Sequence, residues 1–173
     1  MSSLLTLSSI KSNDKIILYF WMVFCFLTLT YKIGEVPPYH PDENFYVESS
    51  LRMVESGDYI TPVYHEKKRF AKPILYYWMV VSSFKVFGVS LASARIPSAI
   101  FGTLSIGLIF LLGRKLFDSR VGLFSSFILP TIYLHFQISR WSTTDMALSF
   151  FILLALYLFV PVSYTHLTLP TKA

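Results

Sequence analysis

The chain has 173 residues, of which 54% are hydrophobic, 17% aromatic and only 14% charged, and its net charge is +5. A soluble domain carries roughly 25% charged residues, so this composition excludes an ordinary soluble protein and points to an all-α polytopic membrane protein. The basic run Lys67–Arg69 is too short for a nucleic-acid interface and suits lipid headgroups or a phosphate, and the single Cys25 excludes an intramolecular disulfide and a cysteine metal site.

Ile16–Tyr31 carries no charge and is bracketed by Lys15 and Lys32, so it is predicted to be a first membrane span with Tyr19, Trp21 and Tyr31 near the interfaces. It lacks a small-residue cleavage site before the polar stretch and reads as an anchor. Pro37, Pro38 and Pro41 break the helix, and the pair Asp42–Glu43 follows; seven of the ten acidic residues lie between Gly34 and Ala94. Carboxylates held at a membrane surface are costly, which invites a functional reading. The plainer alternative is that Asp42 caps a helix and Glu43 sits in its solvated first turn.

Asp42–Ser56 is predicted to be an amphipathic helix, with Val47, Leu51 and Val54 on one face, Glu48, Arg52 and Glu55 on another, and Gly57 as its C-cap. Asp58–Lys72 reads as loop. Pro73–Phe84 is apolar but too short to span, so it is predicted to lie on the membrane, started by Pro73 and stopped by Gly88. Three more charge-free segments, Ile96–Gly113, Val121–Ser139 and Met146–Val160, are predicted to span. The expected architecture is about four transmembrane helices plus two interfacial amphipathic helices in the first outer loop. Gly102, Gly107 and Gly113 permit close helix packing.

The string VSYTHLTLPT, Val162–Thr171, reads as a translated transposase adapter of the kind used in shotgun libraries. Residues 1–160 are therefore expected to be the N-terminal part of a longer transmembrane domain, and residues 161–173 a sequencing artefact.

If the segment after Pro73 lies on the surface, Asp42 and Asp145 face the same compartment. Arg114, Lys115 and Arg120 then share a side with Lys11 and Lys15, which is the positive-inside arrangement. The N-terminus is expected in the cytoplasm and the acidic loop outside. Asp42, Glu43, Lys72, Arg95 and Asp145 would then collect at one membrane face. A cation there can hold a lipid-linked phosphate as leaving group, and a carboxylate can orient an acceptor or take its proton. Individually, Lys72 and Arg95 also read as snorkelling anchors and Asp145 as an N-cap. His40 and His65 could join Asp42 or Glu43 at a metal but read more simply as solvated, and His135 could face a cavity or the headgroups.

The order of these pieces resembles the membrane glycosyltransferases of the GT-C fold, in the branch of bacterial relatives of protein O-mannosyltransferases and lipid A aminoarabinose transferases. PDENFYVESSLRMVESGDY (Pro41–Tyr59), KPILYYW (Lys72–Trp78), FGVSLASARIPSAIFG (Phe87–Gly102), LLGRKLF (Leu111–Phe117) and RWSTTDM (Arg140–Met146) carry the likeness. The resemblance implies catalytic roles for Asp42, its neighbour Glu43 and Asp145. It implies a phosphate contact for Lys72 and a substrate-binding role for Arg95. Many relatives have an acid just before the lysine, which in some of them contributes to a metal site; this chain has Ala71, so no metal and no cofactor is expected. The implied partners are a polyprenyl-phosphate-sugar donor, a lipid, glycan or protein acceptor and the membrane, with no nucleic acid. The implied reaction is inverting sugar transfer on the outer face of the cytoplasmic membrane. The competing class is a non-enzymatic membrane protein, a transporter fragment or assembly subunit, whose charges would line a pathway.

Overall fold

A computed structural model describes residues 12–38 and 41–167, with side chains for 13–38 and 42–160. The chain is mostly helical: α1 Ser12–Thr30, α2 Pro41–Ser56, α3 Ile74–Phe87, α4 Leu91–Leu116, α5 Ser119–Ile128, α6 Tyr133–Ile138 and α7 Thr144–Leu167. Among the described residues, α1 and α4 are long and apolar enough to cross a membrane, while α3 and the Thr144–Val160 part of α7 are apolar but shorter. His40 and the string from Val162 onward lie outside the described side chains.

Helix α4 is the hub, packing against α1, α3, α5 and α7. It begins before the predicted Ile96 because Ser90 and Ser93 form a reciprocal capping box, which places Arg95 inside the helix. The 26 residues rise about 39 Å at 1.5 Å each, longer than a hydrocarbon core of about 30 Å. Pro73 and Gly88 (φ 81°) bound α3 as its sequence predicts, and Gly57 (φ 72°) closes α2 with its N–H on the Met53 carbonyl.

Two departures from the expected elements have local causes. Val121–Ser139 is not one helix: a 3₁₀ turn at Leu129–Thr131 and an extended Ile132 separate α5 from α6. Pro130 has no N–H to offer the Ser126 carbonyl one turn earlier, and the indole of Trp21 on α1 donates to that carbonyl instead, at 2.9 Å. The loop after Asp58 contains a small antiparallel hairpin, β1 Val63–Tyr64 with β2 Lys67–Lys68. Its two-residue turn, His65–Glu66, has φ of 46° and 62°, the left-handed pair of a type I′ turn, and the His65 N–H is held by the Glu48 carboxylate.

The apolar face of α2 packs inward as its sequence predicts: Val47, Leu51 and Val54 lie partly covered against the core. The residues buried most deeply are Glu43, Tyr46, Ser49, Ser50 and Met53, so polar side chains share that inward side. Of these, Glu43 is paired with Arg95, and the Ser50 hydroxyl donates to the Tyr77 carbonyl at 3.5 Å.

Pro97 repeats the device seen at Pro130. It leaves the Ser93 carbonyl without a helical partner, and the Ser83 hydroxyl of α3 donates to that oxygen at 2.5 Å. Ser83→Ala should therefore destabilise the α3–α4 contact by about 1–3 kcal/mol, the usual cost of a buried unpaired carbonyl. In a Pro97→Ala background, where the helix recovers its own N–H donor, the same change should cost almost nothing. Thermal midpoints of the four proteins in detergent give this coupling, and equal Ser83→Ala costs in both backgrounds would refute it.

Candidate active site

The first turn of α2 carries two adjacent carboxylates with opposite surroundings. Glu43 is 0% exposed, and Arg95 of α4 is 1% exposed. The guanidinium grips the carboxylate with two bonds, Nε to Oε1 at 2.6 Å and Nη2 to Oε2 at 2.8 Å. Its Nη1 donates to the carbonyls of Ile33 and Val36, just past α1, at 2.5 and 2.8 Å. Glu43 Oε1 also accepts from the Ser142 backbone N–H, just before α7, at 2.8 Å. One ion pair thus ties together the end of α1, the start of α2, the second turn of α4 and the entry to α7.

Asp42, one residue earlier, points elsewhere. Its Oδ2 lies 3.5 Å from Nζ of Lys72, and the two side chains are 34% and 38% exposed. An ion pair so open to solvent contributes about 0–1 kcal/mol and exchanges partners readily. Tyr46 follows one helical turn after Asp42, and its hydroxyl is 3.2 Å from Thr144 Oγ1 at the start of α7. Burial pushes the Tyr46 phenol above its ordinary pKa, and the charges of Asp42 and Asp145 add to this, so both acids act on one phenol. Asp145 lies exposed in the first turn of α7, where Thr143 Oγ1 donates to its Oδ2 at 2.9 Å. The structure therefore brings Asp42, Lys72 and Asp145 to one end of the bundle, with Glu43–Arg95 sealed beneath them.

Neighbouring side chains fix this end in place. Arg140 donates to the carbonyls of Thr28, Leu29 and Tyr31, satisfying the C-terminal end of α1. Tyr76 bonds Ser98 at 2.7 Å, and burial, the largest influence, raises its pKa. At the opposite end of the bundle, Ser119 at the start of α5 donates to Asp14 near the start of α1. His65 is close to Glu48, and His135 is buried against α4. Among the described residues no three His, Cys, Asp or Glu side chains converge as metal ligands, and Ala71 stands exposed beside Lys72.

Sequence reasoning missed Tyr46 and Arg69. Tyr46 could have been found from its spacing of four from Asp42, which puts both on one helix face. Arg69 was absorbed into the Lys67–Arg69 run; its guanidinium instead lies 3.5 Å over the Phe45 ring.

The bundle of apolar helices thus gathers acids, a lysine and phenols at one end. Residues 71–166 match the family profile described as dolichyl-phosphate-mannose-protein mannosyltransferase. The chain is 34% identical over 129 residues to an uncharacterized protein of Aquifex aeolicus, covering 74% of this chain and 26% of that one. It is 33% identical over 131 residues to undecaprenyl phosphate-alpha-4-amino-4-deoxy-L-arabinose arabinosyl transferase 2 of Proteus mirabilis, covering 75% and 24%. The crystal structure of ArnT from Cupriavidus metallidurans bound to undecaprenyl phosphate superposes with a TM-score of 0.73 at 25% identity, covering 86% of this chain and 27% of that one. The chain belongs to the dolichyl-phosphate-mannose-protein mannosyltransferase family. It spans about a quarter of the length of the relatives it matches.

Losing one member of the buried pair leaves the other charge uncompensated, so Arg95→Met should cost about 3–5 kcal/mol. Replacing both, Glu43→Leu with Arg95→Met, should recover a substantial part of that loss. Thermal midpoints of the purified variants test this; a single variant as stable as the parent would show that the pair is not structural.

Proposed function

We propose that this chain is the N-terminal part of a glycosyltransferase that moves a sugar from a polyprenyl-phosphate donor to an acceptor on the outer face of the cytoplasmic membrane. The observation that carries the reading is the partly exposed Asp42–Lys72 pair at the end of a helical bundle, in a chain of this family. Similarity to an enzyme named for an undecaprenyl-phosphate sugar, and to a structure bound to undecaprenyl phosphate, supports the donor class.

In this reading Lys72 turns from Asp42 to the donor phosphate and stabilises it as it departs. Asp42, thereby released, orients the acceptor and takes its proton; an acceptor that is already an anion needs only the orienting. The acceptor oxygen forms a bond to the anomeric carbon from the face opposite the phosphate. The carbon–oxygen bond to phosphate breaks, its electrons leave with the lipid phosphate, and the anomeric configuration inverts. Asp145, across Tyr46, borders the same space and keeps it negative on the acceptor side. We assign Glu43 and Arg95 to positioning and not to contact with substrate, since their charged groups are committed to each other and to three backbone segments. The full membrane arrangement, with α5–α6 and α7 completing four crossings and α2 and α3 at the outer interface, belongs to the same proposal.

Two experiments test it. In the full-length protein, Asp42→Asn should lower transfer roughly a hundredfold or more, while Lys72→Ala should chiefly raise the KM for the lipid donor. Near-normal turnover of Asp42→Asn would move the chemistry elsewhere. For the topology, Ile60→Cys and Phe117→Cys in a Cys25→Ser background should label from opposite sides of intact cells; both positions are exposed. Labelling of both from outside would overturn the orientation.

A further inference from the structure

At the end of the bundle away from Asp42, α1 stands off from α4. Toward the Asp42 end, Leu29 and Ile33 pack on Ala99 of α4. The first half of α1 leans instead onto α5: the Trp21 indole donates to the Ser126 carbonyl at 2.9 Å, and Ser119 donates to Asp14. The divergence leaves a cleft of about 440 Å³ between α1 and α4, lined also by Phe150 of α7. Leu18 and Met22 line one side, Leu104 and Leu111 the other, and Lys15 lines the part nearest the end of the bundle. Toward the middle of the bundle the cleft closes, since a Cβ added at Gly107 would lie 3.1 Å from the Met22 sulfur. From Lys15 to Met22 is about 10 Å along α1 at a rise of about 1.5 Å per residue.

The walls offer hydrocarbon and one charge. Lys15 and Tyr19 apart, the side chains lining the cleft carry no N–H or O–H. Among the described residues no hydrogen bond or ion pair holds the Lys15 ammonium. The acids at this end are engaged at the start of α5, Asp14 by Ser119 and Asp118 by the Val121 N–H. Lys115, one turn beyond Leu111 on the same face of α4, adds a second ammonium, 4.5 Å over the Tyr157 ring. An occupant must therefore be apolar along two helical turns and anionic at one end. A spanning helix is too thick, because a single turn of a cylinder about 10 Å across occupies roughly 420 Å³, nearly the whole cleft. A hydrocarbon chain is thin and flexible enough, and a lipid phosphate beside lysines supplies the matching charge.

We infer that the cleft between α1, α4 and α7 holds an acyl chain of an anionic phospholipid, with the headgroup on Lys15 and Lys115. The inference rests on the proposed membrane crossings of α1 and α4 and owes nothing to the transfer chemistry at the other end. The acyl chain fills the gap that α1 leaves by leaning on α5. It thereby steadies the helix that leads into the Ile33 and Val36 carbonyls, which Arg95 holds.

The test uses the full-length protein, extracted in mild detergent from vesicles of phosphatidylglycerol and phosphatidylcholine with identical acyl chains. Native mass spectrometry counts the lipids that stay bound. Wild type should retain one phospholipid that Leu104→Trp does not, since Leu104 is 42% exposed on the cleft wall and the larger ring fills the space. That lipid should be phosphatidylglycerol, preferred about fivefold or more over phosphatidylcholine. Lys15→Gln should lower the preference about fivefold with an unchanged thermal midpoint, because Lys15 is exposed. An equal preference in wild type and Lys15→Gln overturns the proposal, whether or not Leu104→Trp folds. So does a wild type that keeps no phospholipid, the result expected if a further helix of the full-length protein covers the cleft. A dimer that Leu104→Trp splits would assign the cleft to a second copy and equally overturn it. Full-length protein recovered in buffer without detergent would remove the membrane crossings themselves, a failure distinct from an inserted protein that binds no lipid.

Discussion

The ion pair between Glu43 and Arg95 is the interaction on which the site depends. A guanidinium and a carboxylate lose hydration when buried, and only complete hydrogen bonding makes that tolerable. Here the carboxylate accepts from Arg95 and the Ser142 amide, while the guanidinium also serves two carbonyls beyond α1. The bonds have direction as well as strength. They fix where α2 starts relative to α4 and α7, and therefore where Asp42 stands relative to Asp145.

Adjacent acids on one helical turn thus divide their work by exposure. Glu43 points inward and is locked; Asp42 points outward and shares Lys72 loosely. The lock supplies a rigid platform, and the pair beside it stays partly open to solvent. An unlocked Glu43 would let Asp42 and Asp145 drift apart. The same economy appears in the prolines. Pro97 and Pro130 each free a carbonyl, and a side chain of another helix, Ser83 or Trp21, takes it up. A break in one helix becomes a fastening to the next.

The long apolar helices α1 and α4, the helix bounded by Pro73 and Gly88, and the clustering of Asp42, Lys72 and Asp145 were legible in the sequence. They rest on local rules or on charge sorting between the ends of helices. The pairing of Glu43 with Arg95 was not legible, because it spans 52 residues. The burial of Glu43 and Ser50 on α2 escaped notice for the same reason: their partners, Arg95 and the Tyr77 carbonyl, lie far along the chain. The break at Leu129–Thr131 escaped notice because hydropathy does not register a missing N–H, and Arg69 was hidden by two neighbouring lysines.

The long reach of the buried pair has a consequence for biogenesis. Glu43 meets Arg95 only after α4 has been made, and its bond to Ser142 bridges 99 residues. The Glu43 carboxylate therefore lacks its full set of partners until the start of α7 leaves the ribosome. The register of the site is thus set late, by closure of a clasp whose halves are synthesised at different times.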